Sequence, residues 1–157
     1  MPHFTASEKS AEVIASGEKI ELDRTLTVLL VGVGGQGTIL AGSLLAMAAA
    51  DAGLDVKVSE IHGMSQRGGS VSTVVRMGKK VESMVADPGC ADVIVAFESV
   101  EALRAQDYLR EGGKMFVNDE VIVPVSVAIG NFEMPEDIEA KLDELGAVRI
   151  PAGQIAY

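Results

Sequence analysis

His62, Met64, Ser65, Gln66 and Arg67 crowd into one short stretch with Gly68 and Gly69, inside the run IHGMSQRGGSV at residues 61–71. An imidazole, hydroxyls, an amide and a guanidinium on a glycine-bearing backbone make a set suited to an anion or an acidic protein surface. Arg67 carries the planar fork that pairs in bidentate fashion with phosphate or carboxylate. Its glycine neighbours give the loop backbone shapes that other residues disfavour. Arg67 therefore reads as a ligand or interface contact. Ser65 and Gln66 read as substrate or interface contacts, and His62 as a partner for backbone ahead of a proton shuttle. Residues 61–80 contain Arg67, Arg76, Lys79 and Lys80 and no acid, a local reversal of sign in a chain of formal net charge −10.

A second glycine-rich segment lies upstream. Gly32, Gly34 and Gly37 fit the spacing G-x-G-x-x-G, with Gly35, Gln36 and Thr38 completing the turn. After a strand and at the start of a helix, such a loop lets backbone approach a diphosphate and offers free N–H groups. Glu60 falls near the acidic position that holds a ribose hydroxyl in dinucleotide folds. Two readings stay open, an NAD(P) site and a tight strand–helix turn. Gln36 and Thr38 bring polar side chains that could reach into a site. A dehydrogenase would also need a catalytic acid or base in a separate substrate region, and 157 residues leave no length for one.

The elements that must hold these loops follow from pattern. Residues 25–31 (TLTVLLV) are an apolar run of strand length, ended by glycines. Residues 36–52 read as a helix closed by Gly53, 55–60 as a second strand and 70–77 as a third, alternating and β-branched. A turn at 87–89 leads to a buried strand at 92–97, a helix at 99–109 and a strand at 114–118. Residues 121–129 are extended and interrupted by Pro124, 136–145 form a helix capped by Gly146, and 147–151 a last strand. Strands alternating with helices predict an α/β fold: a mostly parallel sheet with helices on both faces, a Rossmann-like three-layer sandwich. Residues 1–24 read as an N-terminal extension and 25–157 as the domain. The first helix carries no charge before Asp51, and Gly42, Ala46 and Ala50 recur at a spacing of four. A helix apolar all round is buried all round, so one side should face the sheet and the other a partner subunit.

Composition narrows the function classes. One domain with an aliphatic core and no Trp is expected. Strong acidity argues against nucleic-acid binding. Cys90 is the only cysteine, and His3 and His62 the only histidines. No internal disulfide can form, an iron–sulfur cluster takes about four cysteines, and a structural zinc about four Cys or His. No metal site is expected. Cys90 reads as a bystander, the methionines as core filler, and the acidic residues of 136–145 as a solvated face. The longest apolar run, at 39–50, is too short for a bilayer, and no signal peptide is evident, so a cytoplasmic protein without membrane contact is expected.

Four segments carry a resemblance: GVGGQGTILAG (32–42), EIHGMSQRGGSV (60–71), ADVIVAFESVEALR (91–104) and VNDEVIVPVSV (117–127). Together, from about Leu26 onward, they resemble the gamma-type domain of 2-oxoacid:ferredoxin oxidoreductases. The GMSQRGGSV wording is most similar to the beta subunit of the indolepyruvate enzymes. The resemblance implies a complex that decarboxylates a 2-oxoacid with thiamine diphosphate, passes electrons through 4Fe–4S clusters to ferredoxin and forms an acyl-CoA. With one cysteine and no GDG…N segment, this chain would bind none of these cofactors alone. They would sit on a larger partner subunit, with both glycine loops near the shared active site. The family's chain continues beyond the position of Tyr157, so a shortened C-terminus is expected. Ferredoxins are acidic, which makes the cationic residues 76–80 a better docking surface for one than the acidic helix. The competing expectation is a stand-alone NAD(P)-binding Rossmann-like module or small dehydrogenase.

Overall fold

A computed structural model describes residues 22–62, 69–123, 127, 130 and 133–155. The chain runs β1 (Leu26–Val33), α1 (Thr38–Asp51), β2 (Asp55–His62), β3 (Ser70–Gly78), β4 (Ala91–Ala96) and α2 (Ser99–Ala105). A 3-10 turn (Gln106–Tyr108), β5 (Leu109–Asn118), α3 (Ile138–Glu144), β6 (Val148–Ile150) and α4 (Ala152–Ile155) complete it. Six strands form one sheet in the order β2-β3-β1-β4-β5-β6. β3 runs antiparallel to both its neighbours, and the pairs β1–β4, β4–β5 and β5–β6 are parallel. The reason is the short connection at 63–69. A parallel return needs a crossover of about a dozen residues or more, so β3 turns straight back along β2.

Alternating side chains divide the core in two. Val28, Leu30, Val75 and Met77 cluster with Ala49 of α1 on one face. On the other, Leu29, Val31, Val74, Ile94 and Met115 meet Ala102 of α2 and Leu142 of α3. Helices thus cover both faces, and the expected three-layer α/β architecture holds. α1 approaches β3 closely enough that a Cβ on Gly42 would lie 2.5 Å from the Thr73 methyl. Its far side is open in the isolated chain, with Leu40, Leu44 and Met47 exposed by 65, 56 and 60%. Burial all round, expected from the helix composition, is therefore reached on the sheet side alone.

Two other differences from the sequence reading have local causes. The helix expected at 99–109 breaks into α2 and the 3-10 turn, and β5 begins at Leu109, well before the expected 114. Pairing with β4 jumps from Ala91–Leu109 to Val93–Lys114, and the surplus residues form an irregularity. Gly112 at φ 72° makes that kink, while Gly113 fits where a Cβ would meet the Ala91 carbonyl at 3.1 Å. No helix crosses between β3 and β4; residues 79–90 do so without regular secondary structure, held by Arg76, which donates to the carbonyls of Ser83 (3.1 Å) and Val85 (2.9 Å). A groove of about 260 Å³ is left there, floored by Ser59, Ile61, Ser72 and Val74 and walled by Val85 and Tyr108. The N-terminal extension, except residues 22–24, and most of 124–132 lie outside the described residues.

Candidate functional site at the carboxyl edge of the sheet

In open α/β sheets, ligands bind beyond the carboxyl ends of the strands, where successive helices leave for opposite faces. α1 follows β1 to one face and α2 follows β4 to the other, so that point lies between β1 and β4. The glycine loop sits there. Gly35 and Gly37 take φ of 103° and 86°, values that only glycine adopts freely. A Cβ on Gly32 would lie 2.9 Å from Gln36 Oε1 and from the Thr38 methyl. The Gly34 N–H donates to the Gly69 carbonyl at 2.8 Å, joining the base of the second loop to the first.

The polar residues of the glycine loop turn inward, not toward an open site. Gln36 Oε1 accepts from the Val33 N–H (2.8 Å), and its Nε2 donates to the Phe97 carbonyl (3.1 Å). Thr38 is buried at 2% exposure beneath Gly32. Gly34, Gly35 and Gly37 present backbone alone. Met64, Ser65, Gln66, Arg67 and Gly68 lie outside the described residues.

Sequence reasoning missed the residues that join the loops to the rest of this edge. Asn118 Nδ2 donates to the Phe97 carbonyl (3.2 Å) and to Glu120 Oε2 (3.1 Å). Buried Glu98 accepts from the N–H groups of Glu101 (2.9 Å) and Ile122 (3.0 Å), capping α2 and holding the segment after β5. Ser70 donates to Glu101 (2.5 Å), whose other oxygen accepts from Arg104 (2.9 Å). The one available signal was Asn-Asp-Glu at the end of a strand, which is also ordinary turn chemistry.

Glu60 lies on β2, and β3 separates that strand from β1. A dinucleotide site needs the acid on the strand beside the glycine loop, so Glu60 is misplaced for a ribose. The basic stretch is largely engaged: Arg76 serves backbone carbonyls and Lys80 pairs with Glu82 at 2.7 Å. Carboxylates with shifted titration lie at the opposite, amino edge. Burial alone would raise the Asp92 carboxyl, but bonds from Arg24, the Thr27 N–H and Arg110 outweigh it and hold it below its ordinary range. Lys57 and the Val81 N–H lower Asp55 in the same direction. Among the described residues no group of three or more His, Cys, Asp or Glu could hold a metal. No described helix is long and apolar enough to cross a membrane.

A family model described as pyruvate ferredoxin/flavodoxin oxidoreductase matches residues 27–157. The indolepyruvate oxidoreductase subunit IorB of Pyrococcus horikoshii is 47% identical over 119 residues, covering 74% of this chain and 59% of that protein. Its counterpart from Thermococcus kodakarensis is 48% identical over 114 residues, 73% of this chain and 56% of that one. The chain thus spans under three fifths of the length of these curated relatives. Among solved structures, pyruvate oxidoreductase subunit PORC of Thermotoga maritima aligns with a TM-score of 0.60 at 22% identity. That alignment covers 85% of this chain and 66% of PORC, and shows that the two share a fold.

Proposed function

Because the chain belongs to the pyruvate ferredoxin/flavodoxin oxidoreductase family, we propose that it is the cofactor-free small subunit of a 2-oxoacid:ferredoxin oxidoreductase. The assembled enzyme would oxidatively decarboxylate an aryl-pyruvate such as indolepyruvate to its acyl-CoA. The observation that carries this reading is the 47% identity to an indolepyruvate oxidoreductase subunit over 119 residues, beside a family match that spans both glycine loops. The Gly34–Gly69 hydrogen bond supports it, since it sets the last residue before β3 against the first glycine loop.

The donor set of this chain does not fit an iron–sulfur cluster, because Cys90 is its only cysteine. Nor do the described carboxylates gather into a site for the metal that accompanies a bound diphosphate. In this reading thiamine diphosphate and the clusters belong to a larger subunit, and ferredoxin is reduced through the complex. This chain supplies the glycine backbones of Gly32, Gly34, Gly35, Gly37 and Gly69 and the residues Met64 to Gly68, which would meet CoA, thiamine diphosphate or the larger subunit. A cytoplasmic location goes with the reading, since a lone cysteine stays reduced there.

Co-expression with the larger subunit tests the proposal. A co-purifying complex that reduces ferredoxin in the presence of indolepyruvate and CoA is the expected result. A chain that stays alone and binds NAD(P) at micromolar concentration would replace this reading with that of a nucleotide-binding module. The positions of Glu60 and Gln36 already weigh against the second outcome.

A further inference from the structure

Gln36, Asn118 and Glu120 close a ring. Gln36 Nε2 donates to the Phe97 carbonyl at 3.1 Å and to Glu120 Oε2 at 3.4 Å. Asn118 Nδ2 donates to the same two oxygens, at 3.2 and 3.1 Å. Each side-chain amide has two N–H donors, and each of the two acceptors has the lone pairs to receive both. No donor in the ring is left over. Three strand ends meet in it: Gln36 follows β1, Phe97 follows β4, and Asn118 ends β5.

The ring is anchored on all sides. The Gln36 carbonyl oxygen holds the Val33 N–H (2.8 Å), so the loop also grips the strand it leaves. The Glu120 backbone carbonyl accepts from the Ser99 N–H (2.9 Å), which ties Glu120 to the start of α2. Asn118 Oδ1 accepts from the Ala152 N–H (3.1 Å) beyond β6. Against this stands the freedom of the loop itself. Glycines at 34, 35 and 37 restrict the backbone least of all residues, and the Gly37 N-cap makes no side-chain hydrogen bond. One side chain, Gln36, connects this pliable turn to β4 and β5.

We propose that Asn118 and Glu120 are positioning residues that act through Gln36, fixing the shape the glycine loop presents outward. Glu120 is suited to the part because a carboxylate oxygen receives two amide donors better than a neutral acceptor does. It is exposed, so its replacement leaves the core untouched.

Hydrogen–deuterium exchange on the full chain tests the proposal. In E120A and N118A, amides of residues 34–38 should exchange about tenfold faster, the ratio that about 1.4 kcal/mol gives. Amides of β1 and β4 should keep wild-type protection, and E120Q, which retains an acceptor, should recover part of the loss. Unchanged loop exchange in every variant overturns the proposal, as does equal loosening of the whole sheet. Its weight in catalysis rests on the function proposed above, and a second measurement keeps the two apart. In the complex with the larger subunit, E120A should raise the KM for CoA or 2-oxoacid about tenfold with kcat held within about twofold, a change of about 1.4 kcal/mol in uniform binding. If the loop amides loosen and neither KM moves, the latch stands and the placing of the loop at the active site falls.

Discussion

The two edges of the sheet are built from different chemistry. At the amino edge one buried carboxylate, Asp92, gathers two guanidinium groups and a backbone N–H, from Arg24, Arg110 and Thr27. At the carboxyl edge the ring around Gln36 joins strand ends through side-chain amides and a backbone carbonyl, its one carboxylate exposed to solvent, while buried Glu98 and Glu101 hold α2 behind it. Charge concentrated under low solvent access ties distant segments firmly. The neutral amides of the ring and the bare glycine backbone beside it leave room for a visitor to bring its own charge. One edge holds the chain together, and the other is shaped to be met.

Breaking the amino edge should have the largest effect on stability. Asp92→Ala leaves the Thr27 N–H buried without its acceptor and releases two arginines. A loss of about 3 kcal/mol is expected, seen as a lower urea midpoint. The folded fraction should still assemble with the larger subunit. Gly42→Ala comes next, at about 2 kcal/mol, because the added methyl would meet the Thr73 side chain at 2.5 Å. Thermal unfolding measures it, and the double variant with Thr73→Ser should recover part of the loss by removing the opposing methyl.

Acid sharpens the contrast further. The Asp92 and Asp55 carboxyls sit below their ordinary range when folded. Their contribution is therefore fully present above about pH 3.9, the unfolded aspartate value, and is lost as pH falls through the lower folded value. Urea midpoints between about pH 5 and 2 should fall more steeply for the wild type than for Asp92→Asn. The smallest stability effect is expected in the second loop. Arg67→Ala should move the unfolding free energy by no more than about 0.5 kcal/mol. Turnover of the assembled enzyme should still drop, since truncating one partner of a hydrogen-bonded charge pair at an interface costs about 2–5 kcal/mol. Wild-type turnover in that variant would mean that the second loop carries no function.

Most of the framework was legible because its signals are local. β1, β4 and α1 announce themselves as apolar runs bounded by glycine or turn residues, and Gly146 closes α3 at φ 67° where a helix stop was expected. β5 was half legible, since Gly112 and Gly113 broke its pattern where the strand only kinks. The reversal of β3 was not read, although the shortness of 63–69 leaves a parallel return no room. At the site, the glycines were legible as a motif, but the direction of Gln36 was not. Its partners Phe97 and Glu120 lie 61 and 84 positions away in sequence, and no spacing rule connects them. Glu60 misled because the motif assumes adjacent parallel strands, and an antiparallel one intervenes.

The antiparallel β3 also bears on how the chain reaches its native state. β2 and β3 pair with His62 opposite Val71, whereas β3 meets β1 with Leu26 opposite Met77. A hairpin with so short a closure forms in microseconds, while pairings across long loops wait on slower chain searches. The β2–β3 hairpin is thus expected to close among the earliest events of folding, ahead of the parallel strands. Substitutions that destabilise this hairpin should therefore slow folding more than they speed unfolding.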